Sequence, residues 1–373
     1  MRRVFLWGLC SACLFLPTRL RGADRWELQY FHDKNESSLS FSDLQFPSAA
    51  RGVAVGILEE ARRRKPVAAV TSDGGRSWQL LPLKQPAFSL FFLNEQAGWM
   101  VDQKGTLWKT SDVGRTWMAT RPAGVRATPL RVFFLDQSRG WLLCAQKQVY
   151  GTSDGGQSWQ LLAASREPDL PETRTVYTWA AFADGKTGLL TGWSRPLGFR
   201  SRLPAWMEPE LIPLGVKSTT GILLHSTDGG AGWKPHVRPG LGEIARVRMG
   251  SGGRALLLLR HPDSLATPTE VHSLDLTTLR TQALYANRNL WIADLAFAGP
   301  DRVLAAALDQ QGRTPHPAIP ARLKVLQSVD GSRWTEMDVD YRAEARLAVL
   351  AVPDAAHAWL ATDTGMILRW VKE

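Results

Sequence analysis

Short apolar runs separated by polar turns follow one another along most of this chain. Residues 51–57 (RGVAVGI), 254–259 (RALLLL) and 366–371 (MILRWV) are examples, and segments rich in Gly, Asp, Ser and Pro separate such runs. Apolar runs of this length between turn residues are typical of β-strands. The pattern therefore predicts an all-β fold built from many short strands.

One motif, Ser/Thr-x-Asp-x-Gly-x-x-Trp, recurs five times, and its last copy is one residue shorter. The aspartates are Asp73, Asp112, Asp154, Asp228 and Asp330, and the tryptophans are Trp78, Trp117, Trp159, Trp233 and Trp334. The first three aspartates are separated by 39 and 42 residues. Four short strands with their turns fill this length, which is typical of one β-propeller blade.

The residue types of the motif indicate a structural role. An Asp carboxylate accepts backbone N–H bonds in a tight turn, and Ser or Thr adds a second local bond. Gly permits a positive φ, and Trp supplies a large apolar surface for burial between sheets. A Ca²⁺ site would need six or more oxygen ligands, so one Asp per turn predicts no metal site.

The repeated motif resembles the Asp-box, or bacterial neuraminidase repeat, of sialidases, xyloglucan-active glycosidases, sortilin-type receptors and the photosystem II stability/assembly factor family. Residues 91–117 and 132–159 are most similar to blades of the last family, with an aromatic pair, a Gly-Trp pair and then the box. The resemblance implies a β-propeller. It also implies a basic surface, which that family presents to a membrane-protein client.

The arrangement of apolar runs predicts a single domain over residues 24–373, a seven-bladed β-propeller. The last blade begins near Leu347 and reaches Glu373 with only three strands. Residues 24–29 (DRWELQ) read like the strand that follows each box, such as residues 77–80 (SWQL). Closure removes the open edges of a propeller. We therefore expect Trp26–Gln29 to pair with residues 366–371 and to close the ring.

Residues 1–23 have the features of a signal peptide, because two arginines precede an apolar stretch over residues 4–16. That stretch is short for a membrane span. We expect an exported protein of the periplasm, cell envelope or extracellular space, with no transmembrane span after cleavage. Cys144 would then be the remaining cysteine, and its apolar surroundings predict a buried, unreactive thiol.

The chain is basic, with a formal net charge of +10. Removal of residues 1–23 takes away four arginines and no acid, which leaves +6. Excess positive charge favours association with acidic partners. We expect a monomer that binds an acidic or membrane-associated protein, and no nucleic-acid motif is present.

Long loops and basic residues point to one face of the predicted ring. In a four-stranded antiparallel blade, the second-to-third turns and the connections between blades lie on the face opposite the boxes. The segment 59–66 and an insertion at about 193–218 are predicted loops of this kind, and Arg131 and Arg246 are expected on connections. Binding residues favour such loops. The predicted partner-binding residues are Arg62, Arg63, Arg64, Lys65, Arg195, Arg200, Arg202 and Trp206.

Catalytic motifs are weak in this sequence. A sialidase arginine normally lies in a Phe/Tyr-Arg-Ile/Leu-Pro string before the first box, but the similar string here, 202–204 (RLP), follows the third box. A xyloglucanase-like enzyme would need two opposed carboxylates and usually a second propeller. We predict no catalytic residue, cofactor or metal. A sialidase-like glycosidase or carbohydrate-binding propeller remains the alternative.

Overall fold

The computed structural model describes residues 24–196, 219–261, 267–309, 321–329, 331–340 and 344–372. Within these ranges the chain forms β-strands, turns and two short 3₁₀ segments, Ala163–Ser165 and Glu172–Arg174. None of the described helices has the length and apolarity needed to cross a membrane. The predicted signal peptide, most of the predicted insertion at 193–218, and Arg200, Arg202, Trp206 and Asp330 lie outside the described residues.

After β1 (Arg25–Phe31), the strands form six groups of four in chain order and a last group of three, to which β1 adds a fourth strand. Group 1 contains β2 (Ser37–Gln45), β3 (Gly52–Glu60), β4 (Arg63–Thr71) and β5 (Gln79–Pro82). Group 2 contains β6 (Ala87–Asn94), β7 (Ala97–Asp102), β8 (Leu107–Thr110) and β9 (Met118–Thr120). Group 3 contains β10 (Pro129–Phe134), β11 (Gly140–Cys144), β12 (Val149–Thr152) and β13 (Gln160–Leu161).

The remaining groups continue the same order. Group 4 contains β14 (Thr175–Phe182), β15 (Gly188–Ser194), β16 (Thr220–Ser226) and β17 (Lys234–Arg238). Group 5 contains β18 (Glu243–Met249), β19 (Arg254–Arg260), β20 (Thr269–Asp275) and β21 (Thr281–Ala286). Group 6 contains β22 (Leu290–Phe297), β23 (Val303–Asp309), β24 (Leu323–Ser328) and β25 (Trp334–Val339), and group 7 contains β26 (Ala348–Asp354), β27 (His357–Thr362) and β28 (Met366–Val371).

The N-terminal strand closes the ring. β1 pairs antiparallel with β28, with Trp26 opposite Trp370 and Leu28 opposite Leu368, and it also pairs in parallel with β25. The first strand of each group contacts the first strand of the next, and β26 contacts β2. The all-β propeller and the closing strand are therefore confirmed. The count of seven blades for the whole chain stays a prediction.

Aromatic rings at the ends of the innermost strands join neighbouring groups. Phe134 of β10 stacks on Trp99 of group 2 with ring centroids 4.0 Å apart, and Trp159 meets it edge-on at 6.0 Å. Gly140 leaves room for this ring, since a Cβ atom there would come within 2.6 Å of Phe134. The Gly-Trp pairs seen in the sequence thus make the seams between groups.

The repeated motif forms one recurring turn. At the first copy, the Thr71 hydroxyl donates to Asp73 at 2.8 Å and accepts from the Gly75 N–H at 2.9 Å. Asp73 also accepts from the Ser77 N–H at 3.0 Å. The copies at Asp112, Asp154 and Asp228 repeat these bonds. These box turns connect the third and fourth strands of their groups, so they lie at one end of the ring.

Candidate functional site

The hairpin between β3 and β4 projects from the face opposite the box turns. Both strands have nine residues, whereas β7 and β11 have six and five. Only Ala61 and Arg62 form the turn, and both have positive φ, 48° and 62°. Such a two-residue turn matches the twist of its strands. The expectation of a loop over residues 59–66 was wrong, because the β3–β4 ladder continues to the Glu60–Arg63 pair.

Acidic residues accompany the positive charges of this hairpin tip. Glu59 lies opposite Arg64 and Glu60 opposite Arg63 in the ladder, and Lys65 forms an ion pair with Glu60 at 2.6 Å. Cross-strand pairs of opposite charge stabilise a hairpin modestly. Arg62, Arg63 and Arg64 remain exposed. The tip therefore presents three exposed guanidinium groups, and Glu59 and Glu60 partly offset the positive charge of the hairpin.

Arg195, another predicted binding residue, is half-buried and interacts with other residues of the protein. Its guanidinium group forms an ion pair with Glu243 at 2.6 Å and lies 4.7 Å from the ring centroid of Trp193. Glu243 is buried at the start of β18. The structure therefore ties Arg195 to the junction of groups 4 and 5, apart from the hairpin tip. Arg200, Arg202 and Trp206 lie outside the described residues.

The innermost strands carry polar and charged residues toward the central channel. Six innermost strands, β2, β6, β10, β14, β18 and β22, each contain a bulge. In each strand the residue directly after the bulge lies at a similar height along the channel. These residues are Asp43, Ser89, Arg131, Trp179, Arg246 and Asp294. Arg131 and Arg246 were expected on connections between blades. That expectation was wrong, since both belong to innermost strands.

The two channel carboxylates join neighbouring groups. Asp43 accepts from the N–H groups of Leu44 at 2.9 Å and of Leu90, in the next group, at 2.8 Å. Asp294 likewise accepts from Leu295 at 2.9 Å and from Leu350 in group 7 at 3.1 Å. Burial raises the pKa of Asp43, and nearby Arg131 opposes that rise. Backbone donors thus occupy both oxygens of each carboxylate.

Three arginines surround one tryptophan in the channel, and we call this set the channel arginine cluster. The Cζ atoms of Arg131, Arg246 and Arg248 lie 4.3, 4.4 and 4.6 Å from the ring centroid of Trp179. Cations are attracted to the face of an aromatic ring, most strongly where water is excluded. The cluster concentrates positive charge at the axis of the ring.

The members of this cluster differ in their partners. Arg248 donates to Asp294 at 3.0 Å and to the Leu295 carbonyl at 2.8 Å, and Arg246 lies 3.6 Å from Asp294. Arg131 makes no hydrogen bond or ion pair with any described residue. Burial, and then repulsion from Arg246, lowers the pKa of Arg131 to about 9. Arg131 is thus a half-buried cation at the cavity, and its N–H groups have no acceptor among the described residues.

A cavity of about 360 Å³ occupies the channel beside this cluster. Arg131, Trp179 and Arg248 form its polar part, and aromatic side chains form its apolar wall. The aromatic residues are Phe46, Phe91, Phe133, Phe182 and Phe297. Several of these lie at the C-terminal ends of innermost strands, so the cavity extends toward the end of the ring that carries the box turns.

Sequence reasoning missed this cavity as a site. The only local signal was the alternation of Arg246 and Arg248 along β18, which places both side chains on one face of the strand. Across the described ranges, no three His, Cys, Asp or Glu side chains come together in an arrangement that would hold a metal ion. The site therefore offers cations and aromatic surface.

Comparison with known proteins places this architecture among the β-propellers. No protein-family model and no curated protein matches the chain. YCF48 bound to D1 peptide is 17% identical and aligns over 93% of this chain and 97% of that chain, with a TM-score of 0.61. YCF48 from Cyanidioschyzon merolae is 14% identical over 94% and 98%, with a TM-score of 0.58.

An enzyme shares the same architecture. The GH74 xyloglucanase from Xanthomonas campestris is 13% identical and aligns over 92% of this chain and 53% of that chain, with a TM-score of 0.56. At identities this low, these similarities establish the fold alone. One β-propeller fold carries both binding and catalysis, so function has to be argued from the residues of the site.

Proposed function

We propose that this chain is an exported, non-catalytic β-propeller that binds a protein partner and serves as a scaffold or assembly factor in the cell envelope. The partner presents an acidic surface to the face that carries the β3–β4 hairpin tip. The observation that carries the proposal is the projecting tip itself, where Arg62, Arg63 and Arg64 extend exposed guanidinium groups from a fully paired hairpin.

The chemistry of the channel supports binding over hydrolysis. Glycoside hydrolysis needs two carboxylates that face the substrate. In Asp43 and Asp294, both carboxylate oxygens instead accept hydrogen bonds from backbone N–H donors. One donor to each carboxylate belongs to the neighbouring strand group, so these bonds join the two strand groups. Removing either contact would leave buried donors without partners, which is costly. These two carboxylates are therefore assigned to the framework of the ring.

The fold-level comparison also supports a protein partner. YCF48 has been solved with a D1 peptide, and its fold matches nearly the whole of this chain. The sequence resembles the photosystem II stability/assembly factor family over the segments 91–117 and 132–159. Long-range attraction by a basic tip would mainly accelerate encounter with an acidic partner, and it would weaken with salt.

The test begins with capture from envelope extract. The immobilised full-length chain is compared with a variant in which Arg62, Arg63 and Arg64 are all replaced by serine. A matched control replaces Arg76, Arg115 and Arg280, which are exposed at the box-turn end, so both variants lose three positive charges. Each captured protein is purified, and its association rate with all three chains is measured at low and physiological salt.

We expect association to slow by about tenfold or more in the hairpin variant, with a weaker salt dependence, and to stay near the wild-type rate in the control. Equal losses in both variants would reduce the interaction to unspecific charge attraction and overturn the assigned face.

A parallel screen with fluorogenic glycosides addresses the alternative function. Turnover by the purified chain would replace the scaffold with a glycosidase.

A further inference from the structure

We propose that the channel cavity is a second binding site, separate from the hairpin face, and that it binds a carboxylate attached to an apolar group. Arg131 supplies the cation for the carboxylate, and the aromatic wall accepts the apolar group. Two sources share this chemistry: a free organic acid, and the C-terminal carboxylate of a peptide that ends in an apolar residue.

The charges around the cavity do not balance. Arg131, Arg246 and Arg248 bring three guanidinium groups, while Asp43 and Asp294 bring two carboxylates. Asp294 is shared between Arg246 and Arg248 at 3.6 and 3.0 Å. The three guanidinium groups thus exceed the two carboxylates by one positive charge, and Asp43 only partly offsets the charge of Arg131. A single carboxylate would neutralise it.

The hydrogen bonds of the cluster identify the atoms that a ligand would meet. Arg248 and Arg246 already donate to protein acceptors, whereas Arg131 donates to none among the described residues. Burying an unpaired charge is expensive unless a partner arrives. The planar guanidinium group matches a carboxylate through two parallel N–H···O bonds. The repulsion from Arg246 that lowers the pKa of Arg131 would also be relieved.

The walls of the cavity fit the apolar part of such a ligand. Phe91 and Phe133 lie 4.9 Å apart between ring centroids, and Phe133 stacks on Phe182 at 5.9 Å. A volume of about 360 Å³ falls at the lower end of the range for small-ligand sites. Aromatic rings prefer offset or edge-on contacts with other rings. A phenyl-sized group next to the carboxylate therefore matches this wall.

The first test uses the unmodified protein and compares the binding of a carboxylic acid with the binding of its neutral amide. Binding of 3-phenylpropionate and of 3-phenylpropanamide is measured by isothermal titration calorimetry at neutral pH. A second pair, acetyl-Gly-Phe with a free C-terminus and with an amidated C-terminus, represents the peptide source. We expect at least one acid to bind about tenfold or more tightly than its amide, and the better pair identifies the source.

The second test removes the cation. Arg131→Gln should abolish the preference for the acid, whereas Arg115→Gln, an equal charge loss at an exposed box turn, should keep it. Equal binding of acid and amide to the unmodified chain, or no binding of any of the four probes, overturns the proposal even if the variant fails to fold. A folded Arg131→Gln protein that keeps the preference also overturns it. These outcomes are independent of the partner test at the hairpin face.

Discussion

The ring of Phe46 stacks on the ring of Trp359, with centroids 3.7 Å apart and planes 4° from parallel. Phe46 follows the first innermost strand, and Trp359 belongs to β27 in the last group. The contact therefore joins group 1 to group 7, at the seam where the first and last groups of the ring meet. Gln29 of β1 accepts a hydrogen bond from the Trp359 indole at 3.1 Å, so β1 also takes part in this seam.

Trp26→Ala should destabilise the ring strongly. Trp26 is fully buried, pairs with Trp370 and packs against residues of groups 6 and 7. Loss of a buried tryptophan costs ~3–5 kcal/mol of unfolding free energy because a cavity remains. Chemical denaturation measures the loss, with Glu27→Ala on the same strand as control. An effect as small as that of the control would show that β1 contributes little to closure.

Asp112→Ala should lower the unfolding free energy by about 1 kcal/mol, because the N–H of Thr116 and the hydroxyl of Thr110 lose their acceptor. The box turn lies at the end of the ring opposite the hairpin tip, so affinity for a captured partner should stay unchanged. Denaturation and binding are measured on the same preparation. A folded variant that loses its partner would assign the box turns to recognition.

Acid should weaken the box turns. Two hydrogen bonds from Ser77 lower the pKa of Asp73 to about 2; the bond from the hydroxyl has the larger effect, and the bond from the N–H the smaller. Because the carboxylate has a lower pKa in the folded than in the unfolded protein, its hydrogen bonds contribute their full stability above the pKa of the unfolded chain, ~4. That contribution is lost as the pH falls through the pKa of the folded protein. The stability difference between wild type and Asp73→Asn should therefore shrink between about pH 4 and 2. A difference that stays constant across this window would contradict the assignment.

Cys144 should resist thiol reagents in the folded protein. Its side chain is fully buried in β11, and burial raises the pKa of the thiol to about 12. Little thiolate is therefore present at pH 8, and reagents lack access to the sulfur. For a protein that begins at residue 24, titration with a chromogenic disulfide should show no reaction in native buffer and one reactive thiol per chain in denaturant. Rapid native labelling would indicate local opening of group 3.

Local patterns in the sequence determined the architecture of this protein. The spacing of the boxes predicted the propeller because each turn is built from residues within a few positions, such as Thr71, Asp73 and Gly75. The likeness between residues 24–29 and the strands after each box predicted the closing strand. Both features depend on short-range hydrogen bonding and apolar patterning, which a single chain segment records.

The tertiary structure alone decided where charge and cavity meet. The sequence reads Glu59–Pro66 as a loop, but cross-strand pairing extends the hairpin to its tip and sets Glu59 and Glu60 opposite arginines. Arg131, Trp179 and Arg246 lie in three consecutive groups and meet only when the innermost strands of those groups pack together. Bulges in the innermost strands also decide which residue reaches the channel, because an extra residue changes which side chains share a face. Such contacts depend on packing between groups and on strand register, which no local pattern specifies.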